Sequence, residues 1–128
     1  MINVELLEQV RDYIVKHPDE WKQSTWIEDR YSCGTTRCIA GTAVFLKGYQ
    51  LIWKYGSVEN VVMDNGKVRH VAGAAEEALG LTYEQACDLF YSGPLEAMEK
   101  IDGLIQQGTC QRLAEKLRQR KAEAPAAV

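Results

Sequence analysis

The chain has no long apolar run. No segment approaches the roughly 20 predominantly apolar residues that a membrane-spanning helix needs, so no membrane partner is expected. No secretory leader is expected either, since Met1-Ile2-Asn3-Val4-Glu5 offers neither a basic n-region nor an apolar h-region. Cysteine is sparse, with 4 in 128 residues, and only Cys33 and Cys38 lie close together. An even cysteine count without a secretory context does not describe a disulfide framework, so reduced thiols and a cytoplasmic location are expected. An excess of positive charge is absent too. The formal net charge is -3, which argues against nucleic acid as the main partner. No internal repeat and no interdomain linker interrupt the chain.

What is present is an ordinary globular composition, 46% hydrophobic and 26% charged. The length predicts one domain over residues 1–121, followed by a tail at 122–128 with too little to bury to be ordered. The fold expected is α+β and predominantly helical. Leu6, Leu7, Val10, Tyr13 and Ile14 recur on one face of a 3.6-residue period, with Asn3 placed to cap the start and Pro18 to end the pattern near His17. Nearly every residue from Thr36 to Lys47 is small or apolar, as befits a central helix buried all round. Gly41 within it calls for another backbone at close approach, and Gly48 suits its stop.

Residues 49–70 are rich in aromatic and β-branched side chains, and Asn65-Gly66 sits between two such runs. That dipeptide signals a hairpin with positive φ at both turn positions, within a small antiparallel sheet lying against the helices. Val71–Leu79 returns to helical spacing with Gly80 as its stop. Thr82-Tyr83-Glu84-Gln85 spells a capping box that opens another helix. Leu95–Ile105 is read as a further helix, separated by Gly108-Thr109 from a last one over Cys110–Lys121. The expected core comprises Leu7, Val10, Ile14, Ile39, Ala43, Phe45 or Leu46, Leu79, Leu89, Phe90, Ile101 and Leu104.

The run Cys33-Gly34-Thr35-Thr36-Arg37-Cys38-Ile39-Ala40-Gly41 is the most distinctive segment: a tight polar loop feeding an apolar helix. It admits several chemistries. Cys33 beside a helix N-terminus could be held as thiolate with His70 as general base, the layout of a cysteine hydrolase or transferase; no orienting Asp or Asn is evident. Cys33 and Cys38 have a C-x4-C spacing, but no second close pair completes a metal shell, and no metal or other cofactor is assigned. Thr35, Thr36 and Arg37 could bind an anion at the helix start, although a helix cap and an arginine–carboxylate pair account for them more simply. Trp26 and Trp53 are candidate interface anchors, since tryptophan is enriched at binding hot spots. The helix-turn-helix pattern at 74–90 carries Glu84 and Asp88 and no base, which would repel phosphate. The bases near the C-terminus suit the negative end of a helix dipole.

Together with Trp26 and the stretch Ala78-Leu79-Gly80-Leu81-Thr82 leading to Leu89-Phe90, this motif resembles small uncharacterised proteins of actinobacteria and their bacteriophages, built around C-G-T-x-x-C-[ILV]-A-G. The resemblance covers about residues 3–105. It implies a phage or actinobacterial cytoplasmic protein, in the host cytoplasm if phage-encoded, with no activity to carry over. The function expected is therefore a non-catalytic protein-interaction module, acting on a host protein if the chain is phage-encoded. The alternative is a hydrolase or transferase built on Cys33 and His70.

Overall fold

The computed structural model describes residues 1–29 and 35–123, with backbone alone at 29, 35 and 36. It is an α+β fold dominated by helices. The order is α1 (Val4–Lys16), a 3-10 turn (Pro18–Glu20), β1 (Ile27–Asp29), β2 (Thr35–Arg37), α2 (Ile39–Lys47), β3 (Gln50–Lys54), β4 (Ser57–Val62), β5 (Val68–His70), α3 (Val71–Leu79), α4 (Tyr83–Phe90) and α5 (Pro94–Glu123).

Helix α2 is the centre. Ile39 through Val44 are all buried, and α1 and α3 pack against it. It starts three residues later than its apolar pattern suggests. Residues 35–37 are drawn into β2 by antiparallel pairing of Arg37 with Ile27 and of Thr36 with Glu28, and Cys38 becomes the cap, its Sγ accepting from the Gly41 amide at 3.3 Å. Gly41 meets the close backbone that its propensity cost called for: an ideal Cβ there would stand 1.8 Å from the Trp26 carbonyl oxygen. Gly48 and Gly80 end α2 and α3 in the left-handed conformation.

Among the described residues the sheet is antiparallel and has five strands rather than three. Strand β4 is its middle. One edge pairs with β3 along its length, with a bulge between Ile52 and Trp53. The other edge is shared end to end, β1 pairing with Ser57 and Val58, and β5 with Asn60, Val61 and Val62. Ile27, Val58 and Val61 point inward and are buried. At the hairpin only Gly66 has positive φ. Its amide reaches the Met63 carbonyl, and the Met63 amide reaches the Lys67 carbonyl. The turn is thus a type I turn closed by a glycine bulge, which needs one left-handed residue rather than two.

The capping box at Thr82 and Gln85 forms as read. The C-terminal region differs from expectation. Helix α5 is continuous through Gly108, because that glycine is a packing position: a Cβ would stand 2.5 Å from Val4 and 2.9 Å from Ile2 side-chain carbons. Ala97, Ile101 and Gly108 are the buried positions of α5, while Leu95 is exposed. Phe45 is also half out of the core, its ring covered by Arg37. The helix extends to Glu123, two residues past the domain end read from sequence; residues 124–128 lie outside the described ones.

Candidate functional site

Trp26 precedes β1, and its carbonyl accepts from the Cys38 amide at 3.2 Å. Its indole stands edge-on to two other rings, His70 at 5.0 Å and Tyr91 at 5.9 Å between centroids. Such edge-to-face arrangements are favourable for aromatic quadrupoles. An open cleft of about 680 Å3 lies beside it, walled by residues 21–26 on one side and 90–94 on the other. Trp21, Trp26, Phe90, Tyr91 and Pro94 give the walls their apolar character, and Lys22 is the one charged residue among those lining it. Tyr91 is 69% exposed.

The two walls are 64 or more residues apart in sequence, and one side chain fastens them. Gln23 Nε2 donates to the carbonyls of Leu89 at 3.3 Å and Phe90 at 3.2 Å. Its Oε1 accepts from the Ile39 amide and from the Trp21 indole, each at 3.2 Å. The last carbonyls of α4 and the first amide of α2 are groups that a helix cannot satisfy internally, so this one amide side chain completes both helix ends and orients Trp21. On the other wall, Lys100 Nζ bonds Asp88 Oδ1 at 2.8 Å and Ser92 Oγ at 2.7 Å, and Ser92 Oγ donates to the Asp88 carbonyl. This clamp holds the turn that presents Tyr91.

Arg37 is turned inward. Its side chain is 8% exposed, Nη1 lies 3.2 Å from Glu20 Oε1, and the guanidinium sits 3.7 Å from the Phe45 ring centroid. Tyr13 Oη donates to the same Glu20 oxygen at 2.8 Å, and His17 Nδ1 lies 3.2 Å from the other. The Tyr13 hydroxyl and then Arg37 hold the Glu20 carboxyl below its ordinary range. Burial, followed by the bond to Glu20, pushes the Tyr13 phenol up. The arginine is thereby committed to the fold, as a carboxylate-paired residue, and presents no guanidinium face to an outside anion.

No family model matches this chain, and no curated protein or solved structure does either. The site must be judged on its own chemistry.

Cys33 lies outside the described residues. Thr35 and Thr36 are in β2, with their side chains likewise outside. His70 caps α3, its Nδ1 accepting from the Ala72 amide at 3.0 Å. That bond puts the proton of a neutral imidazole on Nε2, so the nitrogen left over is a donor and not a base. Cys38 is buried and packed as a helix cap, and burial pushes its thiol up to about 11, which keeps it protonated and unreactive. Trp53 is half exposed on edge strand β3, paired with Val58, and is not among the cleft residues. Among the described residues no group of three or more His, Cys, Asp and Glu side chains is placed to hold a metal ion, and no helix is long and apolar enough to cross a membrane.

Of the residues singled out from sequence, the structure brings Trp26 and His70 together, as an aromatic contact. Sequence reasoning missed Gln23, Tyr91 and Pro94. The one signal for them was the pair of irregular segments 22–26 and 91–94, each carrying aromatics where no regular element claims them.

Proposed function

We propose that this chain is a non-catalytic protein-interaction module that holds an extended segment of a partner protein in the Trp26 cleft. The observation that carries this is the wall composition. Trp21, Trp26, Phe90, Tyr91 and Pro94 line an open groove, with Trp26 and Tyr91 edge-on to each other. Preformed apolar clefts with a few polar groups are the usual form of a binding site, and Trp and Tyr carry a disproportionate share of interface energy. The polar side chain best placed to do chemistry there, Gln23, has both its ends bonded within the fold. Lys22 at the rim favours an occupant with an acidic residue beside its apolar anchor.

The resemblance to actinobacterial and actinobacteriophage proteins makes an actinobacterial lysate the first place to look for the target, and a host protein the first class of target. The test starts from a displayed library of random peptides panned on the full chain. Enriched peptides should share an aromatic or proline anchor and should lose binding on Tyr91→Ala, whose side chain leaves the fold untouched because it is exposed. Tyr55→Ala, on the β3–β4 turn, is the control that should bind as wild type. Enrichment of peptides whose binding ignores Tyr91→Ala and Ser24→Trp, a change that fills the cleft mouth, would overturn the reading.

A further inference from the structure

Helix α5 is 30 residues long, about 45 Å, and its last fully buried position is Gly108. Beyond it the helix runs on for 15 residues with Leu113 57% and Leu117 51% exposed. A helical segment of that length is marginal in water by itself.

The stripe that packs on the body is Ala97, Ile101, Leu104 and Gly108. At 100° per residue, a second stripe lies diametrically opposite, spaced alternately by three and four: Glu96, Glu99, Gly103, Gln106, Cys110, Leu113, Leu117 and Arg120. All eight are exposed. Read against its own reverse about residue 108, this stripe gives three compatible pairs and one, Glu99 with Leu117, without complementary chemistry. Glu96 meets Arg120, Glu99 meets Leu117, Gly103 meets Leu113, and Gln106 meets Cys110.

We propose that this outward face of α5 pairs with the same face of a second copy of the chain, antiparallel, about a two-fold axis at residue 108. The charges are arranged for it. The N-terminal half of α5 holds Glu96, Glu99 and Asp102 against Lys100, and the C-terminal half holds Arg112, Lys116, Arg118, Arg120 and Lys121 against Glu115 and Glu123. Antiparallel pairing lays acidic half on basic half at both ends, whereas parallel pairing lays like on like. Gly103 adds an independent point. It is a mid-helix glycine with nothing within 4 Å of the place its Cβ would occupy, so no contact inside the chain compensates its poor propensity. Opposite Leu113 of the second copy it leaves the room that a leucine knob needs. The stripe faces away from the body, so the two bodies lie on the outer sides of the helix pair and do not collide. An isologous two-fold contact of this kind closes on itself.

The experiment is light scattering on the full chain from low micromolar to several hundred micromolar. The mass should rise from 14.4 kDa toward twice that value, and added salt should push it back. Leu113→Glu with Leu117→Glu should stay monomeric throughout while circular dichroism shows the body folded. Arg120→Glu should weaken association about tenfold, and Glu96→Arg in the same chain should restore it. Gln106→Cys under mild oxidation should give a dimer linked from position 106 to Cys110 of the second copy, and Glu115→Cys, off the stripe, should add no link. A mass fixed at 14.4 kDa at the highest concentration, or a dimer indifferent to the leucine changes and crosslinked elsewhere, overturns the proposal.

Discussion

Gly41→Ala tests the central contact of the fold with one methyl group. The new Cβ would stand 1.8 Å from the Trp26 carbonyl oxygen and 2.9 Å from Ile27 Cγ1. Real Cβ atoms stay outside about 3.0 Å, so the carbonyl must retreat by roughly 1.2 Å. It belongs to backbone and cannot swing aside like a side chain. Its retreat strains the Cys38 amide bond, now 3.2 Å, and drags on Ile27, which is fully buried between Val58 and α2. Overpacking of this kind costs ~1–3 kcal/mol, and weakening a buried backbone hydrogen bond adds about 1 kcal/mol. Alanine returns up to ~1 kcal/mol of helix propensity. The net expectation is a loss of about 1–3 kcal/mol, a large share of the ~5–15 kcal/mol that holds a domain together. Urea unfolding followed by far-ultraviolet circular dichroism would show it as a lower midpoint at unchanged slope. Because Trp26 moves with its carbonyl, tryptophan emission should shift as well. Gly103→Ala, where a Cβ meets open space, is the internal comparison and should hold or raise stability of the monomer. A Gly41→Ala variant as stable as wild type would refute the claim that α2 and the chain before β1 are in backbone contact.

Three further outcomes are expected. Gln23→Ala should cost about 2–4 kcal/mol in urea unfolding, because it strands the Phe90 carbonyl and the Ile39 amide at once and takes one donor from the Leu89 carbonyl; a loss under 0.5 kcal/mol would show that water replaces it. Acidification should destabilise the fold through Glu20: its folded-state pKa lies below the unfolded one, so its contribution is present at neutral pH and drains as pH falls through the folded value. Glu20→Gln should flatten that limb of the stability profile, and an unchanged acid limb would put the effect elsewhere. Gly108→Ala should cost about 1–2 kcal/mol by separating α5 from Val4 and Ile2, whose side-chain ends can yield partly; a thermal melt of that variant above wild type would contradict the packing assigned to Gly108.

Where local rules act, the chain reads directly. Asn3, Gly48, Gly80 and the Thr82–Gln85 box all do in space what their chemistry dictates, because a cap or stop is decided within one turn of backbone. Strands β1 and β2 escaped notice since three residues are too few to show alternation, and their pairing is settled by neighbours such as Ser57 and Val58 far along the chain. The polar stretch before Ile39 resembled a helix start until its pairing with Ile27 claimed it. Gly108 looked like a break for a related reason. A glycine that admits a neighbouring helix and a glycine that stops one are the same letter, and only the presence of Val4 and Ile2 tells them apart. The cleft was the least legible part. Trp26 could be named from sequence, but Tyr91, Phe90 and Pro94 reach it through Gln23, and no periodicity links residue 23 to residue 90.

That single glutamine gives the cleft an intrinsic clock. The Ile39 amide is protected from exchange with solvent by a side chain of the 21–26 segment and not by helix ladder bonds. Each time the segment lifts away, the amide is released together with the Phe90 carbonyl of α4, while the interior amides of α2 stay locked. Deuterium uptake at Ile39 would therefore count openings of the cleft, set apart from the slower unfolding of the helix it begins, and any occupant that grips both walls should slow that one amide before it slows its neighbours.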